Sequence, residues 1–295
     1  MAKSLGQIHN VNERAGPFTA VGQKYNIDLP GALTSQLQRM VRAGTFHKLV
    51  GIDITVDPSG IGPTQGAQVS GKINYYLPTR GRCAAFRGAF KSMAEVMKVQ
   101  GITMRDNDLY DFKAPLNSDA VVNLTPMNNQ ATLNGTDGLC LHNTAVPGAS
   151  IFDVHNASVQ PAVYSPAAGT IFQEGFDTLL QGPGGTDFVL NDAVPYTGNH
   201  DTASTLVESI PFTCSYEPAT ATSSASTVKF SFRPDPALYI AVLCGQMQVV
   251  IDEVNLTGGA TNVVLNVSCQ VSGWKSIMGN PEKKSRRRKS SKKKA

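Results

Sequence analysis

The chain closes on KKSRRRKSSKKKA, where Lys283, Lys284, Arg286, Arg287, Arg288, Lys289, Lys292, Lys293 and Lys294 are broken only by serines. The chemistry open to such a run is ion pairing with a polyanion. Like charges repel, and no apolar residue offers anything to bury, so the segment is expected to stay unfolded by itself. Binding a single-stranded nucleic acid would release condensed counterions, with a log–log salt slope of about −0.7 per phosphate contact. Seven to nine contacts give a slope of roughly −5 to −6, and the binding does not read sequence. Three uses remain open for the tail: holding nucleic acid, serving as an address for nuclear import receptors, or plain solubilisation. It has neither the amphipathic period nor the cysteine that a membrane role would need.

A second set of cations is scattered through the body. Arg39 and Arg42 sit in LQRMVRAG, and Arg80, Arg82 and Arg87 sit in TRGRCAAFR. They are candidates for a basic inner surface, and the competing reading is ordinary solvated charge. Candidate catalytic residues are scarce. The loop GPGGTDF (182–188) lacks the Gly-Lys-Ser/Thr ending of a phosphate loop, and His200-Asp201 stands without GxSxG or HExxH. Adjacent residues on an extended chain point to opposite faces, so that dyad reads as surface loop. His9, His47, His142, His155 and His200 show no metal-ligand spacing either. The expectation is therefore no catalytic residue, no metal and no cofactor.

These residues need a body to hold them. Charged residues make up only 16% of the 295-residue chain, and the polar share falls on Asn, Thr, Ser, Gly and Pro, which favour turns and strand faces. The formal charge of +4 is divided: outside 282–295 there remain 17 basic and 21 acidic residues, so a mildly acidic body carries a strongly basic end. Cys83, Cys140, Cys214, Cys244 and Cys269 form no CxxC pattern and read as reduced, mostly buried thiols of a cytosolic or nuclear protein. The N-terminus lacks an apolar signal stretch, and no apolar run is long enough to span a membrane. The sequons at Asn123 and Asn255 are then chance.

Residues 1–24 read as an N-terminal arm. HKLVGIDITVD alternates, with Val50, Ile52, Ile54 and Val56 on one face, and AQVSGKINYYLP does the same through Val69, Ile73, Tyr75 and Leu77 before Pro78. The period then changes. Phe86, Phe90, Met93 and Met97 recur at helical spacing up to Gly101, which predicts a single helix with that stripe in the core. From 103 to 204, short apolar runs between turn residues predict small strands inside long loops. The C-terminal third is strand-like, and Val263, Leu265, Val267, Cys269 and Val271 share one face of the final strand. Strands on both sides of one helix, without βα alternation, exclude a parallel α/β fold. The expected fold is all-β: a single jelly-roll sandwich of about eight antiparallel strands over 25–278, with one helix, loop-rich insertions at 103–204 and a basic tail at 279–295.

With body and tail together, the chain resembles the capsid proteins of small circular Rep-encoding single-stranded DNA viruses. The stretch GKINYYLPTRGRCAAFRGAFKSMAEVMK (71–98) is the part most similar to the stool-associated members of that group. Circoviruses carry their Arg-rich arm at the N-terminus, whereas here it is C-terminal. The resemblance implies self-assembly into a small icosahedral virion around circular single-stranded DNA, with time spent in the host nucleus, import receptors as further partners, and no membrane role. Capsids of small RNA viruses obey the same physics. A cellular β-sandwich that binds or chaperones nucleic acid through a basic tail also remains open.

Overall fold

The computed structural model describes residues 7–62, 64–99, 101, 113–117, 132–133, 137–138, 142–143, 149–152, 155, 207–234 and 239–279. In chain order the elements are β1 (His9–Phe18), β2 (Lys24–Asp28), α1 (Leu29–Leu37), β3 (Thr45–Val56), β4 (Gly66–Tyr75) and α2 (Arg80–Val99). Four two-residue strands follow: β5 (Thr132–Leu133), β6 (Asp137–Gly138), β7 (His142–Asn143) and β8 (Ala149–Ser150). The last group is β9 (Glu208–Glu217), β10 (Ser226–Val228), β11 (Phe230–Phe232), β12 (Ile240–Leu243), β13 (Gln246–Thr257) and β14 (Val263–Ser276).

Two five-stranded antiparallel sheets form a sandwich. One runs β1-β14-β3, with β11 and β12 sharing the far edge of β3; the other runs β10-β9-β4-β13-β2. With β11 and β12 taken as halves of one strand and β10 as an edge extension, eight main strands remain. The first pairs with the eighth, the second with the seventh, the third with the sixth and the fourth with the fifth. That order is what results when one long antiparallel ribbon folds over on itself.

The inner faces meet through Ile52, Ile54, Val69, Ile73, Val249, Ile251, Leu265 and Val267, each nearly or wholly excluded from solvent. Burying each such side chain stabilises the fold by roughly 1.5–3 kcal/mol. The alternation expected on the final strand is what β14 shows: Val263, Leu265, Val267, Cys269 and Val271 are all buried. Cys244 and Gly245 both take positive φ in the two-residue β12–β13 turn, which matches the twist of the strands it joins. A Cβ at Gly245 would meet the Pro30 ring and His47, so glycine serves both geometry and space there.

Several expectations change. Residues 1–24 are not an arm over their described length, because β1 pairs with β14 and buries Val11, Ala15 and Phe18. Its apolar side chains are sparse, and pairing supplies the stability that its pattern does not advertise. The expected single helix is joined among the described residues by α1, a short Pro- and Gly-containing helix that buries Leu29 and Leu33. Val50 was expected on the inner face of β3, but an irregularity there sets Val271 opposite Leu49 and Gln270 opposite Gly51. The extra residue shifts the alternation, so Thr45, His47 and Leu49 face inward before it and Ile52, Ile54 and Val56 after it. Leu77 lies past the end of β4 and is exposed, while Tyr76 is buried.

A second, smaller core lies outside the sandwich. Phe86 of α2, Tyr76, Leu243, Cys244 and Ile277 pack with Ala114, Leu116 and Phe152. The described segments 113–117 and 149–152 of the 103–204 insertion are therefore built into the fold. Lys113 pairs with the buried Asp28, which also accepts a 2.7 Å hydrogen bond from Gln246, and Asn117 donates to Gln248 at 2.9 Å. Of the helical stripe, Phe86 is buried and Phe90 half-buried; the side chains of Met93 and Met97 fall outside the described set.

Candidate nucleic-acid interface

Three chain segments converge at one end of the sandwich: the link between α1 and β3, the N-terminal half of α2, and the last residues of β14 with 277–279. The Ile277 amide donates to the Gly44 carbonyl at 3.1 Å, which ties the first segment to the third. From α2, the Arg87 guanidinium donates to the Ile277 carbonyl at 3.0 Å and the Gly279 carbonyl at 3.4 Å. The chain is thus clamped at its last described residue, just ahead of the basic run.

Four of the five arginines expected to form a basic inner surface assemble around this clamp. Arg39 is exposed and stands over the Trp274 ring, 5.7 Å from its centroid. Arg42 is exposed on the rim of a cavity of about 390 Å³ lined by Met40, Phe86, Phe90, Trp274 and Met278. Arg80 and Arg87 border a neighbouring cavity of about 550 Å³ with Phe46, Cys83 and Ile277, and Ser276 lines both. Cations around apolar and aromatic floors can pair with phosphates while offering a surface for ring stacking.

Arg82 departs from the expected basic surface. It is 1% exposed, lies 4.4 Å over the Tyr76 ring and donates to Glu208 at 3.0 and 3.2 Å. Arg80 and Arg87 lie toward the rim, and the helical turn carries Arg82 inward against β9. It is a structural ion pair joining α2 to the sandwich. The tail cations Lys283, Lys284, Arg286, Arg287, Arg288, Lys289, Lys292, Lys293 and Lys294 lie outside the described residues.

Trp274 is not among the residues singled out from sequence. An isolated tryptophan a few residues before a basic run is the signal that would have found it, since aromatics interleaved with cations mark single-strand binders. The ring also touches His9 and His47, with centroids 5.9 and 6.1 Å apart. His47 is fully buried, neither ring nitrogen has a hydrogen-bond partner, and burial pushes its pKa down to about 3.

Among the described residues, no three His, Cys, Asp or Glu side chains come together as a metal ion would require. His200-Asp201 and the 182–188 loop lie outside the described residues. Burial pushes the Cys214 and Cys269 thiols up to about 12, which keeps both protonated and unreactive at neutral pH. No described helix is long and apolar enough to cross a membrane. No family model, curated protein or solved structure matches the chain.

Proposed function

We propose that the chain is a viral capsid subunit: a single jelly roll that assembles with its own copies into a small icosahedral shell and holds single-stranded DNA through the cations of 283–294. The pairing of first with eighth and second with seventh strand supports the jelly-roll reading, because that fold is two Greek keys wound from one ribbon. Folds of this shape also serve lectins and cupins, so architecture alone carries no function. The observation that carries the reading is the exit of the chain. β14 delivers residue 279 to the rim where Arg39, Arg42, Arg80 and Arg87 gather, so the basic run that begins at Lys283 starts four residues from the body cations. In a closed shell that rim faces inward.

The sheet edges support self-association. β10 ends one sheet with Val228 57% exposed, and a free strand edge offers unpaired backbone groups to a second copy. The choice of DNA and of assembly in the host nucleus rests on the resemblance of 71–98. Electron microscopy of the purified full-length chain, followed by nuclease digestion of opened particles, tests the proposal. Closed shells with DNase-sensitive contents are expected. RNase-sensitive contents would replace the DNA genome with RNA, and a strict monomer at every salt and protein concentration overturns the capsid reading.

A further inference from the structure

We infer that the cavity between Met40, Phe86, Phe90 and Trp274 receives an unstacked base of the single-stranded nucleic acid, with Arg39 and Arg42 holding its phosphates. The inference rests on the packaging reading above and adds a binding mode to it. Electrostatics alone would need only the tail, which grips a backbone without regard to bases. The cavity adds what the tail lacks. Its volume of about 390 Å³ admits one base with room for part of its sugar, and its floor is aromatic and aliphatic.

Its rim has the matching charge. Arg42 lines the mouth, Arg39 stands 5.7 Å from the Trp274 centroid, and the nine-cation run begins at Lys283, four residues past the Gly279 clamp. A strand recruited by that run therefore passes the cavity mouth. Its bases are unpaired and expose their π-faces, whereas the bases of a duplex are stacked and withheld from such a pocket. The occupant that fits is a single strand. The site discriminates little between bases, because Thr45, the buried polar side chain in its lining, already donates its hydroxyl to the Arg42 carbonyl at 2.8 Å, and pyrimidines enter at the least unstacking cost.

Trp274 is the only tryptophan of the chain, so all tryptophan emission comes from a residue that lines this cavity. The test titrates full-length protein with oligothymidylate and, separately, with an abasic deoxyribose-phosphate oligomer of equal length, following both anisotropy and Trp274 emission. Both oligomers should bind with a steep salt dependence. Only oligothymidylate should change the Trp274 emission, and it should bind at least about fivefold tighter, the lower bound of one base–aromatic stack. Phe90→Ala, checked for folding by circular dichroism, should reduce that fivefold advantage while leaving abasic binding unchanged.

Equal affinity of the two oligomers with no emission change overturns the base pocket and leaves the packaging reading standing. Absence of binding by either oligomer overturns both. An emission change on concentrating the protein without any oligomer assigns the cavity to a second copy of the chain, and likewise overturns the inference.

Discussion

Acidification should expose His47 as a weak point of the sandwich, and the size of the effect follows from its surroundings. The ring is fully buried on the inner face of β3, without a hydrogen-bond partner on either nitrogen, between Trp274 and the close approach of Gly245. Burial disfavours the imidazolium, so the folded pKa is about 3 against an ordinary 6.5. A depressed folded pKa means that the unfolded chain binds the proton first. Stability is therefore fully present above about pH 6.5 and drains away as pH falls toward 3. Integrated over that window the loss approaches about 5 kcal/mol, of which about 2 kcal/mol has gone by pH 5.

The perturbation is His47→Gln, which keeps a polar group in place but cannot take up a proton. The assay is urea denaturation of dilute protein, followed by far-UV circular dichroism at pH 8, 6 and 5. Wild type should lose about 2 kcal/mol more than the variant between pH 8 and 5. Other groups titrate too. Arg233 holds the Asp53 carboxyl below its usual range; at Asp57 burial pushes upward, but hydrogen bonds from Ser59 and Arg14 prevail. These contributions are common to both proteins and cancel in the difference. Parallel pH profiles for wild type and variant would refute the reasoning.

Removing 282–295 should leave the fold and assembly intact but abolish co-purifying nucleic acid, read from the 260/280 nm absorbance ratio; an unchanged ratio refutes the tail assignment. Arg82→Ala should cost about 3 kcal/mol in urea denaturation, because it strips Glu208 of a buried partner and removes a cation from the Tyr76 face. A loss below about 1 kcal/mol would place Arg82 among ordinary surface charges instead. Gly71→Ala should destabilise by more than about 2 kcal/mol, since its Cβ would stand 2.3 Å from the Val250 carbonyl of the neighbouring strand. Lys113→Ala should cost a comparable amount by leaving Asp28 buried without its cation, and should speed protease cleavage within 103–204; an unchanged cleavage rate would show that the Lys113–Asp28 pair does not tie the insertion to the sandwich.

The strands of the C-terminal third, the helix α2 and the division between acidic body and basic tail were all legible in the sequence, because each rests on a local period or a local sum of charge. β14 needs only a two-residue alternation to declare its inner face, and α2 only its spacing of apolar residues. Other features depend on partners far along the chain. β1 is recognisable as a strand only through its pairing with β14, and α1 only through the core that covers Leu29 and Leu33. The irregularity at Val50 reverses which residues of β3 face inward, and nothing in the local pattern marks it. Arg82 and Arg87 look alike in sequence, yet one helical turn commits the first to Glu208 and the second to the exit of the chain. Period and charge are properties of neighbours in sequence. The arginine rim around Trp274 joins residues far apart along the chain, and only the folding of the ribbon brings them together.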